Sequence, residues 1–78
     1  IGFAIYPNPT AGFVTINTNG KTNQNYIVSI YNMIGVPQRQ FNWNGDRRAI
    51  DLTTLAKGIY NVRVTNGRSS EVKKLVIE

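Results

Sequence analysis

Turn-forming residues interrupt this chain at short, regular intervals, and that spacing limits its fold more than any other feature. Thr10-Ala11-Gly12, Asn19-Gly20-Lys21, Ile34-Gly35, Asn44-Gly45-Asp46, Lys57-Gly58 and Asn66-Gly67 punctuate its 78 residues. Gly and Asn tolerate the positive φ that tight reversals require. Between the turns lie segments with period-two patterning, over 2–6, 13–18, 26–32, 36–43, 47–52, 59–65 and 70–77. Seven short segments so spaced predict an all-β fold, a small seven-stranded antiparallel Ig-like β-sandwich. Composition agrees: Val, Ile, Thr, Tyr, Phe and Trp number 31, against 9 for Leu, Ala and Glu together. The first group suits a pleated, half-buried surface.

The pattern also assigns faces. In Gly58–Thr65 the residues Tyr60, Val62 and Val64 share one face, which is core, and Ile59, Asn61, Arg63 and Thr65 share the other. In 26–32 apolar residues fall on both faces, which predicts a central strand. The Asn-Gly pairs at 44–45 and 66–67 favour two-residue hairpins of type I′, so that 63–65 should pair antiparallel with 70–72. Leu52 and Leu55, followed by Gly58 and Tyr60, read as an irregular turn leading into a tyrosine corner, in which the phenol bonds back to upstream main chain.

The lead-in Tyr6-Pro7-Asn8-Pro9 is unusual for a sheet protein. Proline fixes φ and removes an N–H donor, and the residue before it is pushed toward extended geometry. The segment is therefore expected to run straight, to end the pairing of the first strand and to blunt a sheet edge. Such a device suits a junction with an upstream domain. Residues 1–78 are expected to form one domain, with 1–9 as strand plus lead-in and 72–78 as its final strand. At this length one core supplies about 3–5 kcal/mol of net stability.

Little in the chain can do chemistry. It contains no Cys and no His, which excludes thiolate metal sites, disulfides and Ser-His or Cys-His nucleophile pairs. Asp51 is expected to cap the turn over 53–57 and Asp46 to serve turn backbone, rather than to act as paired acids. The seven glycines are dispersed, with no phosphate-binding loop. No cofactor or metal is expected. The net charge of +5 comes from basic residues spread along the whole chain, without the clustering that nucleic-acid binding favours. No apolar run is long enough to insert in a bilayer. Two features remain for recognition. Phe41 and Trp43 share a face and read as core first, as an exposed stacking platform second. The segment Val72–Ile77 is an apolar final strand interrupted by Lys73-Lys74.

Four motifs taken together, Tyr6-Pro7-Asn8-Pro9, 29–35 (SIYNMIG), 55–60 (LAKGIY) and 72–78 (VKKLVIE), resemble the type A C-terminal sorting domain of the Bacteroidetes type IX (Por) secretion system. The match runs nearly the whole length and keeps the family's order. Departures are Ile34 ahead of Gly35, where a more polar residue is usual, and a terminal Glu78. The resemblance implies a non-catalytic signal that directs a periplasmic cargo, attached in front of it, through an outer-membrane translocon to the surface or the medium. It also implies that in many members a sortase-like peptidase removes the domain during surface attachment, with the cut upstream of Tyr6. Carried over by position, Tyr6, Pro7, Asn8, Pro9, Gly58 and Tyr60 are family-motif residues, and Lys73, Lys74, Leu75, Val76 and Ile77 form the strand that the translocon reads. Two rivals are a carbohydrate-binding or adhesive sandwich module appended to a secreted enzyme, and a plain Ig-like spacer. An exposed terminal strand could also pair with a second copy, so a weak homodimer stays open.

Overall fold

A computed structural model of the chain describes residues 2–18 and 24–78. The expected turn at Asn19-Gly20-Lys21 lies outside the described residues. Seven strands follow in order: β1 (Phe3–Tyr6), β2 (Phe13–Thr18), β3 (Tyr26–Tyr31), β4 (Pro37–Trp43), β5 (Arg48–Asp51), β6 (Gly58–Thr65) and β7 (Ser70–Ile77). Each agrees with the sequence pattern to within one residue at either end. They form two antiparallel sheets, ordered β1-β2-β5 and β4-β3-β6-β7.

The core is the sum of the inward faces. Phe3, Ile5, Val14 and Ile16 from the first sheet meet Tyr26, Val28, Ile30, Trp43, Tyr60, Val62, Val64, Leu75 and Ile77 from the second, and Leu52 fills between them. Tyr60, Val62 and Val64 are all buried, as the alternation requires. β3 is central, flanked by β4 and β6, which explains why its outward residue Ser29 is also buried. Trp43 is 3% exposed. Its Nε1 donates to the Asp46 carbonyl at 2.7 Å, and its ring lies 5.4 Å from that of Tyr26. The large ring belongs to the core.

Three expectations need correction. The Asn-Gly pair at 44–45 makes no hairpin, because it links β4 to β5 and these strands belong to different sheets. A turn residue encodes a reversal of direction but not the sheet that receives the chain. At 66–67 the hairpin forms, with Thr65 opposite Ser70, yet its loop is four residues long and not two. The Asn66 carboxamide Oδ1 accepts from the N–H groups of Arg68 (2.9 Å) and Ser69 (3.0 Å), an Asx turn that stabilises the longer loop. Finally, the lead-in does not run straight. Both X–Pro bonds, Tyr6–Pro7 and Asn8–Pro9, are cis, and the segment bends across to the other sheet. Proline restricts φ and removes donors, but the bonds from Asn8 and Thr10 to β7 set where the segment goes.

The tyrosine corner is present. Tyr60 Oη donates to the Ala56 carbonyl at 2.5 Å. Leu55 N–H donates to the Leu52 carbonyl at 3.0 Å, closing one turn. Asp51 caps the segment by accepting from Thr53 N–H (2.9 Å) and Thr53 Oγ1 (2.6 Å).

Candidate functional site at the tail strand

β7 lies at the edge of its sheet, with β6 on one side only. Its side chains alternate. Leu75 and Ile77 are buried, and Lys73 on the same face is half-buried where the sandwich opens. On the outer face Val72 and Lys74 are exposed and Val76 is half-buried. Of the five residues expected to be read, two therefore serve the core. Lys73, Lys74 and Val76 are the ones a partner can touch. Lys73 Nζ pairs with Glu71 Oε2 at 3.2 Å and sits 5.5 Å from the centre of the Phe3 ring. A solvent-exposed ion pair of this kind contributes at most about 1 kcal/mol and does not immobilise the charge. Lys74 has no ion pair among the described residues.

The lead-in meets this strand. Asn8 Nδ2 donates to the Lys74 carbonyl at 2.7 Å, and Asn8 Oδ1 accepts from Val76 N–H at 3.0 Å. One side-chain amide thus presents a donor and an acceptor, as a neighbouring peptide group would. Thr10 continues the pairing with main chain: its N–H donates to the Val76 carbonyl at 2.9 Å, and its carbonyl accepts from Glu78 N–H at 2.8 Å. Thr10 and Ile77 form a parallel bridge. The sequence explains this division of labour. Pro7 and Pro9 have no N–H to offer, so the pairing passes to the Asn8 side chain and then to Thr10. Thr10 is itself buried and fixed, with Oγ1 donating to the Phe13 carbonyl at 2.6 Å and accepting from Gly12 N–H at 3.0 Å. The role of Thr10 was not legible as a site, since its sequence signal was only that of a turn.

The other motif residues hold turns and strand ends in place. Tyr6 accepts a hydrogen bond at Oη from Arg47 Nη2 (3.2 Å), while Gly58 opens β6 opposite Ile77. Asn32 organises the β3–β4 turn, its Oδ1 accepting from Ile34 and Val36 N–H at 3.1 and 2.9 Å. That turn displays Met33 and Ile34, 63% and 84% exposed. The stacking platform of the rival reading is missing its main ring, because Trp43 is buried and Phe41 is half-buried under the Arg48 guanidinium, 5.5 Å from its centre.

A small two-sheet sandwich presenting a charged edge strand gripped by its own lead-in has the form of a recognition module. The chain belongs to the family of secretion-system C-terminal sorting domains, whose model matches residues 4–78. Domains of this family serve type IX secretion, carry a cargo in front of them and lead to export to the cell surface or beyond. As a rule they are not enzymes. No curated protein matches the chain at a significant level.

Proposed function

We propose that this domain is the address by which an attached cargo, already in the periplasm, is passed through the type IX outer-membrane translocon, and that β7 is the part read. The observation that carries this reading is the position of β7: it is an edge strand, Lys74 is exposed and without an ion pair among the described residues, and Lys73 is half-buried, with a half-exposed ion pair to Glu71 and the Phe3 ring beside it. An edge strand offers unpaired main chain that a partner can extend. The lysines add attraction to an acidic docking surface and raise the association rate at low salt.

Removal by a sortase-like peptidase fits a cut upstream of Phe3. Phe3 and Ile5 are buried in the core and β1 is paired along its length with β2, so a peptidase would need to unfold the domain to cut within it. In this reading residues 1–78 act as one unit, with β7 as signal. The test is deletion of residues 72–78 from a cargo fusion. Export should stop; normal export would reduce the domain to a spacer. A Lys73→Ala, Lys74→Ala double variant should fold and be exported more slowly, and unchanged export would remove the electrostatic part alone.

A further inference from the structure

The clasp formed by Asn8 and Thr10 divides the β7 edge in two. Val76 directs both its N–H and its carbonyl away from β6, toward Asn8 and Thr10. β6 and β7 pair without a register shift, and in an antiparallel ladder such outward residues recur every second position. Val72 and Lys74 therefore also point their main-chain groups outward. From the Lys74 carbonyl to Glu78 those groups are taken by the clasp. Among the described residues, the Lys74 N–H and both groups of Val72 have no partner there. β1 is the edge of the facing sheet, and a cleft lined by Phe3, Ala4, Ile5, Asn8, Lys73 and Lys74 adjoins the Lys73–Lys74 end of this free stretch. No acidic side chain lines that cleft, and Glu71 beside it is engaged by Lys73.

We propose that the docking edge is confined to Ser70–Lys74, centred on Val72, and that it accepts an extended, acidic polypeptide segment of the protein that reads the domain. This rests on the reading of β7 as the sorting signal and locates the contact within it. The incoming strand bonds to Val72 N–H, the Val72 carbonyl and Lys74 N–H, and its carboxylates meet Lys73 and Lys74. The clasp keeps the remaining half closed, so that the partner meets a fixed register and a short edge. A short edge also limits pairing with second copies, which an edge open to its end would invite. Pro7 and Pro9, adjacent to the clasp, donate nothing, which makes the lead-in a poor edge for a further strand.

The experiment uses export of a cargo fusion, with the 72–78 deletion as reference. Val72→Pro removes one outward N–H without removing a bond to β6, whereas Val72→Thr keeps that N–H and changes only an exposed side chain. Folding of each is checked through Trp43 fluorescence in a denaturant titration. Export should fall at least tenfold for Val72→Pro and stay within twofold of the parent for Val72→Thr. Should Val72→Pro unfold, Lys74→Pro set against Lys74→Ala asks the same of the next outward N–H, and a tenfold gap between them supports the proposal. Folded proline variants exported like their controls, while the deletion blocks export, would overturn the docking edge and leave the sorting reading intact. Normal export of the deletion would remove both.

Discussion

The side chain of Asn8 grips the main chain of Val76 across 68 residues of sequence, accepting its N–H at 3.0 Å while donating to the Lys74 carbonyl at 2.7 Å. The two ends of the domain are thereby one structural unit. Asn8→Ala removes both bonds, and because the site is exposed, the loss should lie near the lower end for two hydrogen bonds, about 1–2 kcal/mol. Asn8→Asp keeps an acceptor for Val76 but sets a carboxylate against the Lys74 carbonyl. It should be at least as destabilising at neutral pH. Urea titrations of the three proteins check the order, and an Asn8→Ala midpoint equal to that of the parent would show that the clasp contributes nothing.

Tyr60→Phe isolates the corner. It deletes only the hydroxyl that donates to Ala56 at 2.5 Å and leaves the ring in the core. A cost of about 1–2 kcal/mol is expected, with an unchanged far-ultraviolet spectrum, since the bond fixes the entrance to β6 and not the strand itself.

Gly12 is held at φ 135°, and a Cβ there would lie 2.8 Å from Thr53 Cγ2 and 3.1 Å from Thr53 Cα. Gly12→Ala therefore meets both a disfavoured backbone and a clash, and should cost about 1–3 kcal/mol. Adding Thr53→Ser removes the methyl but neither the backbone contact nor the φ, so rescue should be partial. Thermal unfolding of the single and double variants distinguishes the two contributions.

Asp51 gives the domain an acid-sensitive cap. Donation from the Thr53 hydroxyl and then from the Thr53 N–H, with a smaller contribution from Arg39, holds its carboxyl below the usual carboxylate value. A folded-state pKa lower than the unfolded one means that the cap's contribution is present above the unfolded value, near ~3.9, and is lost as pH falls through the folded value. Asp51→Asn should flatten the decline in stability below about pH 4. Identical acid limbs in variant and parent would contradict the assignment.

Surface changes at the β3–β4 turn should behave differently. Met33 and Ile34 are largely exposed while Asn32 satisfies the turn's N–H groups. Met33→Ser with Ile34→Ser should shift stability by no more than about 0.5 kcal/mol per site and improve solubility, measured by denaturation and by the concentration at which the protein precipitates.

The strands, the core face of Gly58–Thr65, the central place of β3 and the tyrosine corner were legible in the sequence because each rests on residues close together in the chain. Partnership across the fold was not. The Asn44-Gly45 turn looks like any hairpin turn until the sheet that receives Arg48 is known. The Asn66 loop lengthened because a side-chain amide could replace one turn with another. At the candidate site, the apolar and basic character of Val72–Ile77 was plain, and its alternation places Leu75 and Ile77 inside. The clasp was hidden, since one carboxamide imitating a strand across 68 residues leaves no local pattern. Its trace is the pair of prolines around Asn8, which offer no N–H of their own.

The central claim is that this folded unit is sufficient as an export address. The most direct measurement joins residues 1–78 to the C-terminus of an unrelated periplasmic reporter in a host with a working type IX translocon, and compares the reporter outside the outer membrane with that in a strain lacking the translocon. The account predicts reporter at the surface or in the medium of the first strain and in the periplasm of the second. Reporter retained in the periplasm of both, with the domain folded, would contradict it.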